Sequence, residues 1–108
     1  MSINKEVMAA LSSLEIPVAF QTYSGGDFPY LTFFTYLEQG QLHSDDRELV
    51  TGYYLQLDLW SKQDYTALVE TICQQMEQAG FVRQNFYDLY ETDLQVYHKV
   101  MRYYKEVL

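Results

Sequence analysis

The chain has 108 residues, enough for one domain of ordinary size, and 48% of them are hydrophobic, enough to supply a core. Fifteen acids against seven Lys and Arg give a formal net charge of −8, which argues against a nucleic-acid partner and against an anionic membrane surface, because both need clustered cations. A lone Cys73 cannot form an internal disulfide. No stretch approaches the roughly 20 apolar residues of a membrane-spanning helix, and MSINKEVMAALSSL lacks the basic start and long apolar run of a signal peptide. The expectation is a protein made in a reducing cytoplasm.

Taken in chain order, Ser2 to Leu14 predicts a short helix with Val7, Met8, Leu11 and Leu14 on one face and Ser2 as its cap. Pro17 ends it and biases Ile16 toward extended backbone. Val18 to Tyr23 is a first strand, and Ser24-Gly25-Gly26-Asp27 is a turn by composition. Tyr30 to Leu37 is a second strand with aromatic residues on both faces. Glu38 to Glu48, EQGQLHSDDRE, predicts a polar, mobile, acidic loop.

Between Val50 and Gly80 the hydrophobic period changes. Tyr53, Leu55, Leu57 and Leu59 alternate with Tyr54, Gln56, Asp58 and Trp60, the period of a strand with one buried face. From Ser61 onward, Tyr65, Leu68, Val69, Ile72, Met76 and Ala79 recur at three and four, the period of an amphipathic helix. Ser61 with Asp64 has the spacing of a capping box, and Gly80 sits where a helix C′ residue belongs. The alternation also predicts that Leu57→Asp unfolds the domain while Asp58→Ala is tolerated.

Phe81 to Glu91 alternates again and predicts a strand. Leu94 to Leu108 fits helical spacing at Tyr97, Val100, Met101, Tyr104 and Val107, yet its β-branched and aromatic content favours a strand paired through a turn at Thr92-Asp93. The predicted fold is a single α+β domain over residues 1–108, in the order α-β-β-β-α-β-β. It has a mainly antiparallel sheet of four to five strands, with two helices packed on one face.

No constellation in the sequence nominates chemistry. His43 and His98 lie in no metal-ligand spacing, and the DDRE run lacks the register of a calcium loop. Ser24-Gly25-Gly26 has neither a nucleophile-elbow nor a phosphate-loop frame. Asp58 stands on the polar side of its strand without a nominated partner, and His98 reads as an ordinary strand residue. No catalytic residue, metal or cofactor is predicted. Two features point to assembly instead: a strand aromatic on both faces leaves rings exposed opposite the helices, and charge is uneven. Glu38, Asp45, Asp46 and Glu48 outweigh Arg47, whereas Tyr97 to Tyr104 carries Lys99 and Arg102 without an acid. Opposite charges on different surfaces suit head-to-tail packing, which closes into a ring when the rotation allows.

The segments FPYLTFFTY, YYLQLDLWSKQDYTALVETI and DLYETDLQVYHKVMRYYKE, with the acidic segment between the first two, resemble the tail completion or tail terminator proteins of long-tailed bacteriophages and prophages. The likeness runs from about Pro29 to Glu106, and LQLDLWSKQ and YHKVMRYY are its most specific parts. It implies a ring, commonly hexameric, at the head-proximal end of the tail, touching the tail tube protein and the head connector. The acidic segment would then face the channel or a neighbouring ring and repel passing DNA over a Debye length of roughly 10 Å. Other small connector or minor capsid proteins are the near alternative. A ligand-binding or enzymatic ferredoxin-like domain predicts His98, Tyr54 and Trp60 converging in a pocket between sheet and helices. An acidic interaction module predicts a monomer.

Overall fold

The computed structural model describes residues 2–44 and 47–108, with only the backbone described at 41–44 and 47–49. Helix α1 (Ile3–Ala10) is followed by strands β1 (Val18–Phe20), β2 (Tyr30–Ser44) and β3 (Arg47–Ser61), helix α2 (Thr66–Gln78), and strands β4 (Val82–Glu91) and β5 (Val96–Val107). The strands form one sheet in the order β1-β2-β3-β5-β4. β1 runs parallel to β2 and every other pairing is antiparallel. This is the predicted α+β architecture and element order. The C-terminal segment is a strand from Val96 on, after a turn that includes Leu94, and it is inserted between β3 and β4.

Alternation in β3 builds the core. Leu55, Leu57 and Leu59 are fully buried, and they face Phe33 and Leu31 on β2 and Met101 and Tyr103 on β5. Val7 from α1, Leu11 at its C-cap, and Ile72 and Met76 from α2 close the same cluster, so both helices cover one face. Each fully buried Leu or Ile contributes about 2 kcal/mol through removal from water. In α1 it is Ile3 that joins Val7 and Leu11, while Met8 is turned to solvent. Ser2 occupies the N-cap position, but its side chain makes no capping hydrogen bond.

The helix start after β3 differs from the sequence expectation. Ser61 still belongs to β3, opposite Tyr97, and its Oγ accepts the Gln63 N–H at 3.1 Å. The N-cap position falls to Tyr65, whose side chain makes no capping bond, while Asp64 just before it accepts the Thr66 N–H at 2.8 Å and the Thr66 hydroxyl at 2.7 Å. At the other end Gly80 has φ of +91°, the Gly80 N–H donates to the Glu77 carbonyl, and Phe81 N–H reaches back to Met76. That is a Schellman ending, with buried Phe81 packed in the same core as Met76. Lys105 of β5 adds to it by donating to the Ala79 carbonyl at 2.7 Å and to Glu6 of α1 at 2.8 Å.

The largest departure concerns Glu38 to Glu48. The predicted loop is instead the continuation of two strands, with Glu38 opposite Tyr53, Gly40 opposite Thr51, His43 opposite Glu48 and Ser44 opposite Arg47. Backbone pairing does not require apolar side chains, and register shifts at Thr35/Leu37, Gly40/Leu42 and Leu42/His43 absorb the irregular composition. β5 ends opposite Thr51, so beyond that pair β2 and β3 continue as a two-stranded ribbon. Asp45 and Asp46 lie outside the described residues.

Candidate functional site

The residues singled out for assembly charge do not form one patch. Glu38 is exposed on β2. Arg47 and Glu48 are strand residues described by backbone alone, and Asp45 and Asp46 are not described. Lys99 stands directly opposite Leu59, hence on the helix-covered face, and pairs with Asp88 at 3.1 Å. Arg102 is on the opposite face, where its Nε donates to Gln56 at 3.2 Å and its guanidinium lies over the rings of Tyr36 and Tyr87. Three residues along a strand reverse the face, so Lys99 and Arg102 cannot act together.

The face without helices is where the polar chemistry gathers. Trp60, Asp58, Gln56 and Tyr54 of β3 project there, opposite His98, Val100, Arg102 and Tyr104 of β5. His98 is 7% exposed and Asp58 6%. One imidazole nitrogen, Nε2, lies 2.7 Å from Asp58 Oδ1, and Nδ1 lies 3.0 Å from Glu91 Oε1 at the end of β4. Asp58 also accepts from Gln56 Nε2 at 3.0 Å. A polar chain therefore crosses three strands, from Arg102 through Gln56, Asp58 and His98 to Glu91. Burial pulls the His98 pKa down, but hydrogen bonds to Asp58 and Glu91, with their negative charge, outweigh it and hold the value above the ordinary one.

No local pattern joins these residues, and strand alternation alone places Asp58 on a polar face expected to tolerate Asp58→Ala. Asp58 is instead buried and accepts two hydrogen bonds. One signal was present: His98 shares strand parity with Val96 and Val100, which are both buried, so its face is not an ordinary wet one.

Aromatic side chains cover the same face. The Trp60 ring stacks on His98 with centroids 3.8 Å apart, and Tyr30 stacks on Trp60 at 6.2 Å. Tyr23 and Phe28 from the loop after β1 continue the row against Tyr30. A second group joins Tyr36, Tyr54 and Tyr104 beside Arg102. His98, Tyr54 and Trp60 thus share the open face rather than a pocket beneath the helices, where core side chains fill the space.

Chemically, the cluster places one imidazole where it can hold a proton between two carboxylates. Its two carboxylates sit on opposite nitrogens of one ring, so their oxygens do not converge on a common point. Among the described residues no group of three or more His, Cys, Asp or Glu side chains is arranged to hold a metal ion. Concavities occur elsewhere, one lined by Ser2, Ile3, Phe20, Thr35 and Tyr53 and another by Phe28, Pro29, Ser61 and Lys62. No protein-family model matches this chain, and no curated protein matches it either.

Proposed function

We propose that this protein is a non-enzymatic structural subunit that works by assembling with copies of itself, as the ring that caps a phage tail tube and joins it to the head connector. One observation carries the reading: the sheet packs its helices on one side and leaves an aromatic face on the other. Tyr36 and Tyr87 there are 41% and 38% exposed, and the polar groups between the rings are already paired with one another. Exposed rings set around satisfied polar groups suit burial against another protein, where Tyr and Arg are enriched.

The family likeness supports the same reading through its location. FPYLTFFTY lies at the start of β2, LQLDLWSKQ in β3 and the turn after it, and YHKVMRYY in β5. These are three neighbouring strands of the sheet. The segments that carry the resemblance therefore make one continuous surface. The two-stranded continuation of β2 and β3 is a further element for a partner to cover, because an isolated ribbon is marginal in water.

Electron microscopy of tails from a phage lacking the gene tests the proposal. Overlong tubes without heads are expected, with the purified protein restoring normal ends. In parallel, sedimentation is expected to reveal rings at high concentration or in the presence of tail tubes. A strict monomer that does not bind tube ends overturns the reading and favours an acidic module acting on one host protein.

A further inference from the structure

The Glu91–His98–Asp58 cluster does more than fill space. One imidazole faces two carboxylates, one at each nitrogen. A neutral imidazole has a single N–H and satisfies only one of them, whereas the imidazolium satisfies both. The two partners are not equivalent. The Asp58 side chain is 8% exposed and closer, while that of Glu91 is 40% exposed. When the ring loses a proton, the N–H stays toward the more deeply buried Asp58, and Glu91, nearer the surface, turns to solvent. Glu91 is the last residue of β4 and pairs with Val96 across the turn to β5.

We propose that Glu91, His98 and Asp58 form a proton-operated latch, in which the doubly protonated imidazole ties the β4–β5 end of the sheet to β3 and deprotonation lets that end go. β4 is the outer strand, and Leu89 and Tyr90 next to the latch are exposed. Opening it alters the apolar edge offered to any partner.

The surrounding charges fit this assignment. Asp58 faces the ring from β3 and Glu91 from β4, and Arg102 on β5 is held away by Gln56 and its tyrosines. From β2, Tyr30 reaches the cluster only through Trp60, and burial raises its phenol pKa so that it stays neutral. Lys62 lies over Phe28 at the far end of the aromatic row.

Trp60 is the sole tryptophan and stacks on His98 at 3.8 Å, so its emission reports the charge of the ring, since an imidazolium quenches indole fluorescence. In the intact protein, emission is expected to rise with pH through a midpoint above the ordinary histidine value of about 6.5. Glu91→Ala is expected to lower that midpoint by about one pH unit. Amide exchange between Tyr90 and Tyr97, corrected for its intrinsic pH dependence, is expected to lose protection across the same midpoint. In Glu91→Ala that protection is low throughout. His98→Gln abolishes the titration, and if that variant does not fold, Glu91→Ala alone decides. A midpoint at or below the ordinary value overturns the latch. So does a midpoint indifferent to Glu91→Ala, or exchange that does not follow the emission.

Discussion

Leu57 and Asp58 are neighbours on β3 that face opposite sides of the sheet, and substitution of either is expected to destabilise, with different pH signatures. Leu57 is fully buried between Phe33 and Met101. Leu57→Ala leaves a cavity that strands paired on both sides cannot collapse, and costs about 3 kcal/mol at any pH. Asp58→Ala removes the acceptor of bonds from His98 and Gln56. His98 keeps Glu91 and Gln56 is only half-buried, so the loss is about 2 kcal/mol at about pH 6.

The sign of the pH dependence follows from the raised folded-state pKa of His98. Proton binding to the folded form contributes stability that is fully present below the unfolded value of about 6.5 and fades as pH rises through the folded value. Above that point wild type has already lost the charge-assisted part of the Asp58 bond, and the Asp58→Ala penalty shrinks to about 1 kcal/mol. Urea unfolding followed by circular dichroism, on both sides of the His98 midpoint reported by Trp60 emission, measures these differences. An Asp58→Ala penalty that stays constant with pH, or is absent at about pH 6, refutes the reasoning.

Gly80 has positive φ, and a Cβ there would meet Lys105 only at ordinary contact distance, 3.6 Å. Gly80→Ala is therefore expected to cost about 1 kcal/mol from backbone conformation alone, and calorimetry showing no loss contradicts the Schellman ending. Lys105→Met removes the ammonium that lies over the Phe81 ring and strands Glu6, whose side chain is 12% exposed. A loss of about 2 kcal/mol is expected, with Glu6→Gln in the same chain recovering part of it. Strict additivity of the two changes would mean that the pair does not form.

Periodicity made most of the fold legible. The alternating leucines of β3, the three–four spacing of α2 and the glycine at its end each belong to one element, so local pattern suffices to read them. Two things escaped. The segment Glu38 to Glu48 is mostly polar and charged in sequence, and strand pairing there is a matter of backbone hydrogen bonds, which need no apolar alternation to announce them. The latch escaped because Asp58 and His98 are 40 residues apart and meet only through the register of β5 on β3. Nothing in either local segment announces that β5 will slide between β3 and β4.

That insertion has a consequence for how the protein forms. One of the two neighbours of β3 follows it in the chain only after α2 and β4 have been made. Until residues 96–107 arrive, β4 has no strand to join, Leu57 lacks Met101, and one edge of β3 stands open. An emerging chain therefore holds an unfinished sheet that its own final strand must seal. During that interval its leucine-rich edge is open to strands of other chains.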